Sequence, residues 1–479
     1  TRTYKIVEKS NRKYLMTLTL TATLGGLLFG YDTAVISGTV GSLEAFFILP
    51  FGLDELSSNT RLGFVVSSAL IGCILGGISG GLISKKLGRK NGLILAALLF
   101  LISAMGSAMP EIFIKPVGEA DHTFFSIFII YRIIGGIGVG LASMLSPLYI
   151  AEIAPAASRG KLVSMNQFAI IFGMLVVYFV NYFISLQGDE NWLNQIGWRW
   201  MFASEVIPAS LFLLFLLFVP DTPRSLVMKG KSKEALVVLE KVNGSAKAKA
   251  ILEEIKGSFQ QHSGKLFSFG FSVIIIGILL SVFQQFVGIN VVLYYAPEIF
   301  KSMGSATDTA LLQTIVVGAV NLIFTVLAIQ TVDRFGRKPL MLLGAAGMAI
   351  SMFALGTAFF SKAMGLFSLI CMLVYVASFA MSWGPVTWVL LSEIFPNKIR
   401  GRAMALAVTA QWVSNYLVSW TFPMMDKNSF LIEKFNHGFS YWIYGVMGLL
   451  ALVVVWKFVP ETKGKTLEEM EQLLSDKNK

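Results

Sequence analysis

The segment from Tyr14 to Leu43 constrains this chain more than any other, because its only charged side chain is Asp32. About 20 apolar helical residues cross a bilayer, so the segment reads as a membrane span. An ionised, unpaired carboxylate there costs about 2.5–3.5 kcal/mol on insertion scales, and a chain that keeps one is generally using it for proton or ion chemistry. The rest of the chain is of the same kind. Of its 479 residues 55% are hydrophobic and 14% charged, against about 25% charged in soluble domains. The reading is a polytopic membrane protein. A net charge of +11 could suit nucleic acid, but the basic residues cluster between apolar runs, as the positive-inside rule predicts. No nucleic-acid partner is expected, and the lipid bilayer is.

The apolar runs predict twelve spans, at about 14–38, 62–84, 91–109, 123–150, 163–185, 199–219, 267–297, 309–331, 339–361, 365–391, 403–424 and 440–459. Several exceed the length a straight crossing needs, so tilt or breaks are expected. Placing both termini in the cytoplasm puts 31 of the 39 Lys and Arg on that side, seven outside and one, Arg132, within a span. The opposite orientation would invert the bias. The first run is too long for a cleavable leader and a second span follows it, so none is expected. Cys73 and Cys371 lie in separate apolar runs and read as small core residues. His122, His262 and His437 have no metal-spaced partner, so neither a metal nor a cofactor is expected.

The chain then repeats itself. Gly88-Arg89-Lys90 recurs as Gly336-Arg337-Lys338. Glu152, six residues and Arg159-Gly160 recur as Glu393, six residues and Arg400-Gly401. Pro220-Asp221-Thr222 recurs as Pro460-Glu461-Thr462. The offsets are 248, 241 and 240 residues. Three signals in one order at nearly one offset indicate two duplicated halves. The expected fold class is an all-α membrane protein of twelve transmembrane helices in two six-helix bundles, the major facilitator plan, with a ligand bound between the halves. The expected divisions are 1–220, a cytoplasmic helical linker at 221–266, a second bundle at 267–461 and a tail at 462–479. Within the linker, Ser232 to Val242 and Ala246 to Phe259 have helical spacing, broken at Asn243-Gly244. Thr466 and Glu469 form a capping box that would start a short terminal helix.

Three charges fall inside spans of the first half. At about 1.5 Å rise per residue, Asp32 and Glu205 lie roughly 9 Å, and Arg132 roughly 14 Å, below the outer ends of their helices. Two carboxylates cannot both be satisfied by one guanidinium. Arg stays protonated and holds its partner ionised; the carboxylate that loses this contact is left desolvated and takes up a proton. A proton carrier needs such a switch. The bland alternative is a permanent Asp32–Arg132 pair that only fixes packing, although buried pairs are often poor stabilisers. The run Gly135-Gly136-Ile137-Gly138-Val139-Gly140 superficially matches a dinucleotide fingerprint, but it follows no strand and lies in a span; small residues there permit close helix packing.

Polar amides mark the second cluster: Gln167, Gln284, Gln285, Asn290, Asn321 and Gln411, with Trp388 and Trp412 nearby. Amides offer donors and acceptors together, and aromatic rings offer flat apolar faces. A neutral polyhydroxylated ligand needs both. The alternative is interhelical glue, worth about 0.6–2 kcal/mol per contact.

Motifs across essentially the whole chain carry a family likeness. They are Gly25-Gly26-Leu27-Leu28-Phe29-Gly30-Tyr31-Asp32, Arg132 with Gly136, Pro155 with Arg159-Gly160-Lys161, Gln284-Gln285-Phe286 with Ile289-Asn290, Asp333-Arg334-Phe335-Gly336-Arg337, Gly384-Pro385 with Trp388, and Pro460-Glu461-Thr462-Lys463-Gly464. With them the chain resembles the sugar porter family of the major facilitator superfamily, and within it the members that couple D-xylose uptake to protons. The resemblance implies that Asp32 is the proton-coupling carboxylate, Arg132 its partner and Glu205 a modulator. It implies sugar contacts from Gln167, Gln284, Gln285, Asn290, Trp388 and Gln411, in a cavity lined by Phe29, Tyr294 and Trp412. It implies that Glu152, Arg159, Glu393, Arg400, Arg89 and Arg337 form cytoplasmic ion pairs that hold an outward-facing state and break to open inward.

The chain departs from the pattern in three places. Met174 stands where the D-xylose members carry Gln, seven residues after Gln167 and so on the same helix face. The first-half loop Ser84-Lys85-Lys86-Leu87-Gly88-Arg89 lacks the acid that Asp333 supplies in the second, and Ser225 replaces an aromatic after Pro223-Arg224. The expectation is a proton-coupled importer of D-xylose or a related pentose or hexose, in the inner membrane, working as a monomer by alternating access. A facilitative sugar carrier is the alternative, although facilitative relatives generally hold a neutral residue in place of Asp32. A sugar receptor would need more than the about 20 residues that follow the last span. An enzyme would need a nucleophile–base or metal constellation that the sequence does not offer.

Overall fold

The computed structural model describes residues 2–155, 158–258, 271–396 and 399–463, with the side chains of residues 2–11 and 258 excepted. Every regular element among them is helical. Among the described residues, ten helical segments are long and apolar enough to cross a membrane. We number the crossing helices α1 (Arg12–Gly38), α2 and α3 (the two parts of Glu55–Ala108), α4 (His122–Ile153), α5 (Arg159–Ser185), α6 (Glu190–Phe218), α7 (Phe271–Ser302), α8 (Thr307–Phe335), α9 (Arg337–Phe360), α10 (Leu366–Ile394), α11 (Arg400–Asp426) and α12 (Gly438–Phe458). α2 and α3 run on as one helix except at Gly88, whose φ of 86° and ψ of 178° break it. Only glycine takes that conformation without strain, and Gly336 repeats it between α8 and α9 with φ 89°. α11 is long enough to cross but less apolar, because Gln411, Ser414, Asn415 and Ser419 lie on its buried face.

Three helices are interrupted near their middles, α6 at Ser204-Glu205. α7 breaks at Val287-Gly288, and α10 breaks at Ser382 to Gly384 before restarting at Pro385. Broken turns free backbone carbonyls, which must find donors when buried. The Tyr375 hydroxyl donates to the Val287 carbonyl at 2.6 Å, and Gln284 Nε2 donates to those of Trp383 at 2.8 Å and Gly384 at 3.2 Å. Prolines act similarly. Pro423 has no N–H for the Ser419 carbonyl four residues earlier, and the Tyr295 hydroxyl supplies the bond instead, at 2.7 Å.

The glycine-rich run of α4 packs as small residues allow. Gly136 sits against the Ala69 carbonyl and Gly140 against that of Cys73, while Gly72 and Gly76 of α2 meet the Ile133 and Ile137 carbonyls of α4. Between the halves, short helices span Pro223–Met228, Ser232–Asn243 and Ser245–Ser258, near the predicted linker helices. Leu226, Ala235, Val238, Leu239, Ala248 and Leu252 form a small core of their own there. Phe259 and the predicted tail helix at Thr466 and Glu469 lie outside the described residues.

A Cβ at position 136 would strike the Ala69 carbonyl, whereas one at Gly81 meets nothing within 4 Å. Gly136→Ala is therefore expected to lose about 1–3 kcal/mol to overpacking, read as a lower melting temperature in detergent. Gly81→Ala should match the parent; equal melting of both variants would refute the packing argument.

Candidate functional site

Asp32 of α1 and Arg132 of α4 meet in the interior of the first half. Arg132 Nη1 donates to Asp32 Oδ1 at 2.8 Å and Nη2 to the Asp32 backbone carbonyl at 3.1 Å. Their side chains are 0% and 1% exposed. The guanidinium also lies 5.1 Å from the centroid of the Phe202 ring, a favourable cation–π placement. Glu205 is fully buried at the break in α6 between Ala203 and Val206, within electrostatic reach of both Asp32 and Arg132. Neither of its carboxylate oxygens has a hydrogen-bond partner among the described residues, and Asp32 Oδ2 and Arg132 Nε have none either. Tyr31, next to Asp32, shares a 2.7 Å hydrogen bond with Ser204, next to Glu205, which pins the two acid-bearing turns together. Gly135, beside the pair, leaves room for Ser103 of α3: a Cβ there would strike Ser103 Oγ. The structure thus brings the three expected charges into one cluster.

The amides form a second cluster in the other half. Gln285 Nε2 donates to Gln284 Oε1 at 3.3 Å, and Asn290 Nδ2 to Gln285 Oε1 at 2.5 Å. Gln411 Nε2 also donates to Gln284 Oε1, which joins α11 to α7. Gln411 Oε1 is buried without a hydrogen-bond partner among the described residues. Tyr294 accepts from Asn415 Nδ2 at 3.4 Å and lies within electrostatic reach of Asp32. Phe29, one turn before Asp32, packs on Trp412 with ring centroids 5.5 Å apart. The two clusters are therefore neighbours, joined across the halves by α1, α7 and α11.

The remaining expected residues are not in the amide network. Gln167 is half-buried and makes no side-chain hydrogen bond to a described residue; Trp388 is half-buried on the restarted part of α10. Met174 is 7% exposed, and its backbone faces Gly30 of α1, whose own turn approaches the Ile170 carbonyl. Asn321 is buried on α8.

At the end of the molecule that carries the basic motifs, each half builds the same cap. Asp221 Oδ1 accepts from the backbone amides of Arg89 and Lys90, each at 3.1 Å, and Glu461 accepts from those of Arg337 at 3.2 Å and Lys338 at 3.0 Å. Arg89 bonds Glu152 at 2.7 Å, and Arg337 bonds Glu393 at 2.7 Å. Thr222 donates to Glu152, and Thr462 to Glu393, each at 2.5 Å. Lys229 reaches the Leu87 carbonyl at 2.7 Å, and Lys463 that of Arg334 at 2.6 Å. Sequence reading named the glutamates and arginines but missed Asp221, Glu461, Thr222 and Thr462 as members. Their signal is the Pro-Asp-Thr/Pro-Glu-Thr repeat, which marks the duplication and the family likeness without indicating a bond. The departure at Ser225 is also absorbed, because its hydroxyl donates to Asp221 Oδ2 at 2.6 Å.

Arg159 and Arg400 do not join these caps. Arg159 is exposed and bonds no described residue, and Arg400 turns onto the Phe395 carbonyl at 3.1 Å. The halves instead touch at the far end. Lys427 pairs with Glu44, Asn59 Nδ2 donates to the Lys427 carbonyl at 3.2 Å, the Ser429 amide donates to Glu55 at 2.6 Å, and Trp420 Nε1 donates to the Thr60 carbonyl at 3.2 Å.

A paired acid and guanidinium beside an amide-rich cluster, between duplicated helical halves, is the layout of a membrane carrier, and the chain belongs to the "Sugar (and other) transporter" family, whose model matches residues 18–474. It is 62% identical to the D-xylose-proton symporter of Escherichia coli K12, over 98% of this chain and 97% of that protein. It is 43% identical to the glucose facilitated diffusion protein of Zymomonas mobilis, over 97% of this chain and 98% of that one. Among solved structures it superposes on the inward open conformation of the xylose transporter XylE from E. coli with a TM-score of 0.88 at 60% identity, covering 96% of this chain and 99% of that one.

Burial works against the charge on Asp221, but hydrogen bonds from Ser225, Lys229 and the backbone amides of Lys90 and Thr222 outweigh it, and its pKa is held below the usual Asp value. A carboxyl depressed on folding stabilises fully above its unfolded pKa of about 4, and that contribution is lost as pH falls through the lower folded value. Melting temperature measured against pH should therefore show a parent-minus-Asp221→Asn difference that is constant above about pH 5 and shrinks toward pH 3. A difference independent of pH would show that the carboxylate charge is not what holds the cap.

Proposed function

We infer that this chain is a proton-coupled sugar importer that takes D-xylose or a related pentose or hexose. The observation that carries the reading is the buried Asp32–Arg132 pair, set beside the neutral amide cluster but not inside it. Charged substrates would call for charged ligands among the amides, and Gln284, Gln285, Asn290 and Gln411 provide none. The sugar is held by these amides with Gln167, while Trp388, Trp412, Phe29 and Tyr294 present flat faces to its C–H surface. The facilitated-diffusion relative keeps uncoupled passage as the alternative; the buried acid at Asp32 argues for coupling.

The cycle runs by alternating access between two moving halves, 1–220 and 267–461, with 221–266 linking them and 462–479 as the tail. The basic end faces the cytoplasm, as the positive-inside rule requires, and the chain works as a monomer in the inner membrane. Sugar and a proton enter from outside. The proton lands on Asp32, which then lets go of Arg132 while Glu205 takes over part of its field. The halves rock, and both substrates leave to the cytoplasm. Arg132 then recaptures Asp32; the formed pair, the outer contacts between the halves and the separation of Arg159 and Arg400 from the caps support this last step. In the outward-facing state Arg159 reaches across to Glu393 and Arg400 to Glu152, the glutamates held here by Arg337 and Arg89 respectively.

Asp32→Asn tests the coupling. In proteoliposomes with an imposed proton gradient it should abolish uphill sugar accumulation while equilibrium exchange of labelled sugar continues. Uphill transport that survives the substitution would make Asp32 a packing residue. Substrate choice is tested separately by competing xylose, glucose, galactose and arabinose for binding. Met174→Gln should alter their rank order or raise one affinity by about 2- to 10-fold, the worth of one added hydrogen bond. An unchanged panel would place Met174 away from the sugar.

A further inference from the structure

Tyr178 belongs to α5 of the first half, but both its ring and its hydroxyl end in the second. The hydroxyl donates to the Leu293 carbonyl of α7 at 2.9 Å. That carbonyl is available because Pro297, four residues on, has no N–H to close the helical bond. α7 continues through the proline, so the carbonyl stays buried and needs a donor from elsewhere. The ring fills a notch in α8: a Cβ on Gly318 would lie 2.7 Å from Tyr178 Cδ2 and 3.0 Å from Cε2. Tyr178 is 1% exposed. Tyr295 supplies the same kind of bond to Ser419 above Pro423, but both of its partners lie in the second half, so that bond persists whichever way the carrier faces. The Tyr178 bond crosses between the halves and cannot.

We propose that Tyr178 is a gating residue of the transport cycle, locking the outer gate by inserting its ring against Gly318 and its hydroxyl onto the carbonyl that Pro297 leaves open. The inference rests on the alternating-access reading. When the outer ends separate, the Leu293 carbonyl loses its donor and the ring leaves its notch. The proline is part of the lock, because it creates the acceptor.

Spin labels at Leu56→Cys and Glu433→Cys report the gate. The two positions are exposed and lie on opposite halves beside the Glu55–Ser429 contact, and Cys73 and Cys371 are buried. Pulsed dipolar distances in lipid nanodiscs give the ratio of closed to open outer gates, with and without xylose and across pH. Tyr178→Phe keeps the ring and should lower that ratio about 2- to 10-fold, the worth of one net hydrogen bond. Gly318→Ala should lower it as well. Pro297→Ala returns an N–H to the Leu293 carbonyl, and in that background Tyr178→Phe should have little further effect. Two distances in the parent with Tyr178→Phe inert, or equally effective in the Pro297→Ala background, would overturn this proposal alone. A single parent distance under every condition would overturn the alternating-access reading and this proposal together.

Discussion

The arrangement depends on one desolvated ion pair. Asp32 and Arg132 are withdrawn from both water and lipid, and each ion so withdrawn carries a desolvation penalty of several kcal/mol. Their mutual bond, the second bond to the Asp32 backbone and the Phe202 face offset that penalty only while all are present. Glu205 leaves the balance unfinished. It places a second carboxylate near the same guanidinium and has no hydrogen-bond donor among the described residues. A site built only for rigidity would satisfy every oxygen. A site with one cation and two acids has more than one way to distribute a single proton, and these ways differ in what Arg132 holds.

The duplicated caps show how the halves remain rigid while such a switch operates. In each, one carboxylate closes the broken turn after the glycine, and another takes an arginine and a threonine. No bond in the scheme crosses to the other half; each stays in one half or ties it to the segment that follows it. A rocking motion would therefore leave the caps intact, and Arg159 and Arg400, which the proposed cycle has changing partners, stand apart from them. The split between bonds that persist and bonds that exchange follows the split between the halves.

Much of this was legible in the sequence. Twelve apolar runs announce their helices through hydropathy, and even α11, diluted by its amides, keeps enough apolar length to be found. The pairing of Asp32 with Arg132 was legible because a membrane leaves a buried charge so few alternatives. The break in α10 was not, since Ser382 to Gly384 sit inside a continuous apolar run and hydropathy does not register backbone angle. The caps were only half legible. Asp221 and Glu461 lie in polar connections where an acid is ordinary, and their task is to receive backbone amides, which no side-chain pattern records. Ser225 looked like a loss because an aromatic was missing, yet it supplies a hydroxyl to the same acid. Tyr178 was not legible, since its meaning depends on a carbonyl 115 residues away.

In the proposed cycle, coupling between proton and sugar runs through the geometry of α1. Phe29 and Asp32 are one turn apart on a single rigid helix, so the ring against Trp412 and the acid against Arg132 cannot move independently. Tyr294 closes the circuit from the other side: it is held by Asn415 next to the amides and feels the charge on Asp32. A sugar that separates Phe29 from Trp412 must shift α1 or α11, and a shift of α1 changes the Asp32–Arg132 distance. On the proposed reading, neutralising Asp32 removes its attraction to Arg132, and each substrate alters the cost of binding the other through one helix, with no contact between proton and sugar required.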